Sequence, residues 1–216
     1  MTRRGRLSAV WRALCLAAAL LVWGGSVGEW AAAGGSLVIE DFTAREPDGF
    51  PRGWKTQNNS RGRETYTIRT EGHLAFLSAR QADQRVYKRI AWDPKALPVL
   101  TWRWRLLSAP AGTDPIAVVY VSLDTDLYFI PVFTKYTWSA TRPVGSVVEG
   151  GMFSGTEIVV QSGVKPAGEW VEERVNVYED FKRIHGHEPA RESWGISLLA
   201  GPGVEVDFGP LVASTP

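Results

Sequence analysis

Leu100-Thr101-Trp102-Arg103-Trp104-Arg105-Leu106 decides the fold. Side chains of a β-strand point alternately to its two faces. Leu100, Trp102, Trp104 and Leu106 therefore share one face, and Thr101, Arg103 and Arg105 share the other. Two tryptophans and two leucines in a row need a second layer to cover them. The arginine face must meet water or a ligand.

The same reading extends outward along the chain. Residues 116–123 are almost continuously apolar, as expected of a central strand. Residues 128–133 and 136–139 continue the β pattern. Upstream, residues 36–42 and 85–90 read as strands, and 65–69 with 74–78 as a hairpin around Glu71-Gly72. Downstream, residues 157–161, 170–175, 195–199 and 204–208 read as strands. Roughly ten short strands with turn signals between them predict an all-β protein, a jelly-roll-like β-sandwich. One short helix interrupts them at 177–184. Asn176 is its N-cap, with Glu179 three residues on, and Gly186 stops it. Its buried stripe is Val177, Phe181 and Ile184.

The length of 216 residues suits one domain plus a targeting segment. Hydrophobic residues make up 44%, which supports a packed core. Residues 1–12 are basic, 13–23 are apolar, and small residues follow up to Ala31-Ala32-Ala33. These are the three parts of a secretory signal. The apolar run is shorter than the roughly 20 residues that span a bilayer. We expect a cleavable signal over 1–33, a single domain over 34–216, a periplasmic or secreted location, and no stable membrane anchor after cleavage. The first 33 residues hold four arginines and one glutamate, so the net charge of +1 for the whole chain becomes −2 for the remainder. A near-neutral domain has no polyanion-binding signature, which argues against nucleic acid as a partner. Cys15 is the only cysteine and lies in the leader. Internal disulfides, thiol catalysis and thiolate metal sites are thus excluded from the remainder.

Several segments, in order, resemble a known family. They are Phe50-Pro51-Arg52-Gly53-Trp54-Lys55, Trp92-Asp93-Pro94 on to Pro98, Trp102-Arg103-Trp104, Tyr136-Thr137-Trp138-Ser139, Val160-Gln161-Ser162-Gly163, and Trp170 to Phe181 ending in Tyr178-Glu179-Asp180-Phe181. The set resembles the bacterial exported family called domain of unknown function 3047. That resemblance implies an exported β-sandwich and carries no activity with it. The chain departs from the family pattern in two places. Before the central strand it reads Gly112-Thr113-Asp114-Pro115, with one acid rather than a pair, and near the C-terminus Ala200-Gly201-Pro202-Gly203 replaces an Asp-rich turn. A site built on those acids in relatives would be missing here.

Residues 34–216 carry no Gly-x-Ser-x-Gly elbow, phosphate loop or dinucleotide fingerprint. We expect no cofactor and no catalytic residue. Asp124 with Asp126, and Glu205 with Asp207, are spaced to share a strand face. A glycosidase needs two such carboxyls across a cleft, and calcium could also bind them; a solvated strand face or loop is the plainer reading. His185-Gly186-His187-Glu188 could supply metal ligands, or could simply be the loop after a helix end.

The aromatics are the stronger signal. Flat sugar rings stack on exposed Trp and Tyr, with polar neighbours taking their hydroxyls. Trp92, Trp102, Trp104 and Trp170 are read as core. Trp54, Tyr136 and Trp138, with the donors Arg103, Arg105 and Lys135, are the expected ligand-binding residues. The expected role is a non-catalytic binding domain for carbohydrate or another envelope component. The alternatives are a hydrolase acting on envelope polysaccharide and an assembly protein of the envelope.

Overall fold

A computed structural model describes residues 35–57, 61–126, 130–150 and 155–216. All of them lie in the second of two compact units, Ala32–Pro216. The expected leader lies outside the described residues, as do residues 128 and 129 of one expected strand. Among the described residues, no helix is long and apolar enough to cross a membrane.

The strands in chain order are β1 (Ser36–Glu40), β2 (Lys55–Thr56), β3 (Tyr66–Glu71), β4 (Leu74–Arg80), β5 (Val86–Arg89), β6 (Val99–Ser108) and β7 (Ala117–Asp126). There follow β8 (Ile130–Ser139), β9 (Val147–Val148), β10 (Thr156–Ser162), β11 (Val171–Asn176), β12 (Gly195–Ala200) and β13 (Glu205–Ser214). Two helices, α1 (Arg61–Thr65) and α2 (Val177–His185), interrupt them. The strands form a six-stranded sheet in the order β11-β6-β13-β4-β3, with β1 also on β13, and a seven-stranded sheet in the order β2-β5-β12-β7-β8-β10-β9. The protein is an all-β, jelly-roll-like sandwich.

The β6 alternation builds the core. Leu100, Trp102, Trp104 and Leu106 are buried, while Thr101, Arg103 and Arg105 are partly open. Trp102 meets Tyr136 at 5.8 Å between ring centroids, and Trp104 meets Trp138 at 5.6 Å. These contacts press β6 of one sheet onto β8 of the other. Each buried large side chain contributes about 1.5–3 kcal/mol of transfer free energy, and each aromatic pair about 0.5–1.5 kcal/mol more. As its apolar run predicts, β7 is central and pairs with β12 on one side and β8 on the other.

The helix α2 forms where its caps place it. The Asn176 side chain accepts a hydrogen bond from the Glu179 N–H, and Gly186, at φ 72°, donates its N–H to the Lys182 carbonyl. Val177, Tyr178 and Phe181 are buried. The helix also ties to the seven-stranded sheet, because the Tyr136 hydroxyl donates to Asp180 at 3.0 Å. Three elements escape the sequence reading: β2, β9 and α1 span two to five residues, too few for a period to show. The pairing of β8 with β10 is parallel, which no local pattern announces.

Candidate functional site

Three of the expected ligand-binding residues belong to the core instead. Tyr136 and Trp138 are fully buried, and Trp54 nearly so. The Trp54 Nε1–H donates to Glu40 at 2.7 Å, and the Trp138 Nε1–H donates to the Gly163 carbonyl at 2.7 Å. Tyr136 and Trp138 stand two apart on β8, so one face takes both, and that face is the inner one. None of the three offers a ring to a ligand.

Arg103 and Arg105 do project from the outer face of the six-stranded sheet, but acids from neighbouring strands already hold them. Arg105 sits opposite Asp207 in register and reaches it at 2.8 Å, and it reaches Glu71 at 2.8 Å. Its guanidinium also lies over Trp170 at 4.6 Å and Phe76 at 5.3 Å, so Trp170 packs outside the core. Arg80 meets Asp207 at 3.0 Å and Glu205 at 3.8 Å. Arg103, opposite Glu172, pairs with it at 3.5 Å. Glu205 and Asp207 share a face, as their spacing predicts, and their work there is to neutralise arginines.

Lys135 leads to the other outer face. The strand registers of the seven-stranded sheet align Lys55, Tyr87, Ser197, Tyr120, Lys135 and Glu157 in one row across it. The next row holds Arg89, Gly195, Ser122 and Phe133. Tyr87 stacks on Trp194 at 5.9 Å with planes 30° apart, and Arg89 lies over the Trp194 ring at 4.9 Å. On the other side, Tyr120 meets Phe133 edge-on at 5.7 Å. Between these ring pairs the floor is made of small residues, Ser197, Gly195 and Ser122. Gly195 has a φ of 150°, and a Cβ there would lie 2.3 Å from the Lys88 carbonyl oxygen, so glycine is required. Tyr87, Tyr120 and Trp194 are half-buried, leaving part of each ring open. A cleft of about 540 Å³ adjoins the rows and is lined by Arg89, Trp194, Asp124 and Glu192 among others.

The electrostatics of this face differ from those of the other sheet. The Arg85 guanidinium lies 4.9 Å from the Tyr120 ring centre and 4.6 Å from that of Phe133. Neither Arg85 nor Lys135 has a carboxylate partner among the described residues. The Arg85 Nε is buried without a hydrogen bond. Glu157, opposite Lys135, is instead held by Arg142, which also holds Asp114 at 3.2 Å. Burial pushes the pKa of Arg85 below its ordinary value. Burial also pushes that of Lys135 down, opposed by Glu157 and reinforced by the nearby Arg85. Burial raises the Tyr120 hydroxyl, and Arg85 opposes that rise.

The remaining candidates are dispersed. Asp124 accepts from the Thr125 N–H at 2.7 Å at the far end of β7. The carboxyl with a raised pKa, Glu173, is pushed to about 7 by burial. It lies on β11, in the opposite sheet, where the Trp104 Nε1–H donates to it at 3.1 Å. His185 packs on the Phe181 ring at 4.3 Å, His187 meets that ring at 5.3 Å, and Glu188 pairs with Lys95 at 3.0 Å. Among the described residues, no group of three His, Cys, Asp or Glu side chains converges as a metal site requires.

Sequence reasoning passed over Tyr87, Tyr120 and Trp194. Tyr120 sits inside an apolar run that reads as core throughout. A signal was available in Arg85-Val86-Tyr87-Lys88-Arg89, whose alternate residues put two arginines and a tyrosine on one face.

A family model described as "Protein of unknown function (DUF3047)" matches residues 130–200, which bears out the family resemblance over that segment. No curated protein matches the sequence. Among solved structures, the chain is similar to the endoglucanase Cel12A from Rhodothermus marinus, at 14% identity and a TM-score of 0.44 over 82% of this chain and 97% of that one. It is also similar to the family 30 carbohydrate-binding module of a cellulosomal cellulase of Clostridium thermocellum, at 9% identity and a TM-score of 0.43 over 83% and 97%. The K2 adhesin domain of Lys-gingipain is matched at 12% identity and a TM-score of 0.42 over 83% and 99%. These superpositions are loose and say nothing of which residues touch a ligand.

Proposed function

We propose that the protein is an exported, non-catalytic domain that binds carbohydrate on the outer face of the seven-stranded sheet. The observation that carries the reading is the set of half-buried rings Tyr87, Trp194 and Tyr120 gathered on this face. The apolar face of a pyranose packs against such rings. Arg89, lying over Trp194, supplies N–H donors at the rim for hydroxyl groups. The basic, apolar and small-residue parts of 1–33 support export.

The test is a glycan array followed by calorimetry on the bound class, with Trp194→Ala and Tyr120→Ala beside the unaltered protein. Ring stacking on nucleobases is worth about 1–3 kcal/mol per ring, and a similar loss here weakens binding by about 10- to 100-fold per variant. Unchanged affinity in both variants, or no glycan retained by the unaltered protein, overturns the assignment. Export is checked by N-terminal sequencing of the protein recovered outside the cytoplasm, with Gly34 as the expected first residue.

A further inference from the structure

The geometry points to an acidic saccharide as the ligand: a uronate-type carboxylate held between Arg85 and Lys135 beside Tyr120. The inference deepens the carbohydrate reading above and rests on it.

Three observations lead there. First, the two outer faces treat their partly buried cations in opposite ways, the exposed Arg69 and Arg174 of the six-stranded sheet standing apart. On the six-stranded sheet, Arg80, Arg103 and Arg105 each reach a carboxylate within 4 Å. On the seven-stranded sheet, Arg85 and Lys135 reach none among the described residues, and Arg142 occupies the acid that faces Lys135. Second, both cations converge on one ring. The Arg85 guanidinium is 4.9 Å from the Tyr120 centroid and the Lys135 ammonium is 5.9 Å from it. A carboxylate brought to the edge of Tyr120 is within reach of both. Third, the charge is local. Residues 34–216 carry a net −2, yet Lys55, Arg85, Arg89 and Lys135 gather on this one face with Glu157 in the same row and Asp124 and Glu192 at the adjoining cleft.

The chemistry then favours an anion over a neutral hydroxyl. A guanidinium presents two parallel N–H donors that match a carboxylate, and an ammonium adds a compact charge. A partly desolvated cation without a counter-ion is costly to keep, and an incoming carboxylate removes that cost for two cations at once. A neutral sugar removes it for neither.

The experiment is calorimetry of the protein with galacturonate and mannuronate hexamers and with cellohexaose, in 50 and 500 mM NaCl. At least one acidic hexamer is expected to bind about tenfold or more tightly than cellohexaose, with the advantage shrinking at high salt. Lys135→Gln and Arg85→Gln are each expected to weaken that acidic hexamer by about 10- to 100-fold, since charged hydrogen bonds are lost, and to leave cellohexaose unaffected. Arg85→Lys, which keeps the charge, is expected to retain the acidic preference and separates loss of charge from loss of folding. Equal or tighter binding of cellohexaose that is still weakened by Trp194→Ala overturns the acidic inference and spares the carbohydrate reading. Binding of no hexamer overturns both.

Discussion

Replacing Glu173 with glutamine is expected to stabilise the protein, but only at high pH. The Glu173 carboxyl stands on β11 at the edge of the inner layer, where burial raises its pKa from the usual 4.5 to about 7. One hydrogen bond, from the Trp104 Nε1–H at 3.1 Å, opposes that rise and does not cancel it. The sign follows from proton linkage. A carboxyl whose pKa is raised on folding binds more protons in the folded state, so stability falls as pH climbs from 4.5 through 7. Taken whole, a shift of that size withholds about 3 kcal/mol above pH 7. Glu173 is only partly buried, and screening by solvent reduces this to about 1–2 kcal/mol. Glutamine keeps an oxygen to accept the Trp104 N–H and has no charge to desolvate. Urea denaturation from pH 4 to 9 measures the difference. The glutamine variant is expected to match the unaltered protein below pH 4.5 and to exceed it by about 1–2 kcal/mol at pH 8.5 and above. A difference that stays constant across this range refutes the reasoning, because no proton would then be coupled to folding at this site.

Two further substitutions probe the buried charges. Asp207 is almost completely buried between Arg105 and Arg80, so Asp207→Asn leaves two arginines without their shared counter-ion and is expected to cost about 3–5 kcal/mol in urea denaturation. Glu40, 6% exposed, accepts from Trp54 Nε1 and the Phe42 N–H at 2.7 Å each and from Lys88 at 2.8 Å; Glu40→Ala is expected to cost about 3 kcal/mol and to lower Tm by about 6–12 °C in differential scanning calorimetry.

The fold was legible where the determining signal was local. Alternation along β6 divides its residues correctly because a strand cannot turn Trp102 and Trp104 to different sides. The α2 boundaries were legible because Asn176 and Gly186 act within one turn of the helix. The site was legible only in part, and the errors have a common cause. Arg103 and Arg105 do stand on an outer face, but their partners Glu172, Asp207 and Glu71 come from strands roughly 30 to 100 residues away. Local spacing shows which way a cation points and not whether another strand neutralises it. Tyr136 and Trp138 failed in the opposite sense. Aromatics two apart announce one face, and only the sheet opposite, with Trp102 and Trp104, makes that face the inner one. Tyr120 was hidden by its apolar neighbours, since residues 116–123 show no alternation to mark an outer face.

A purely structural account of Arg85 has to explain its charge. Long side chains often lay their stems over apolar surface, and Arg85 does roof Tyr120 and Phe133. A methionine or leucine would roof them without a desolvated cation. Lys135 sharpens the point, because burial depresses its pKa and it shares the Tyr120 ring with Arg85, whose field depresses it further although Glu157 opposes that with a larger effect. Packing alone would favour relieving that repulsion, and the opposite sheet relieves the same problem three times over with Asp207, Glu71 and Glu172. Cations kept without a carboxylate beside a half-buried ring, in a chain that pairs its other partly buried arginines, are what a surface awaiting an anion requires. The face of the sandwich that remains electrostatically incomplete is therefore the one to test first for a ligand.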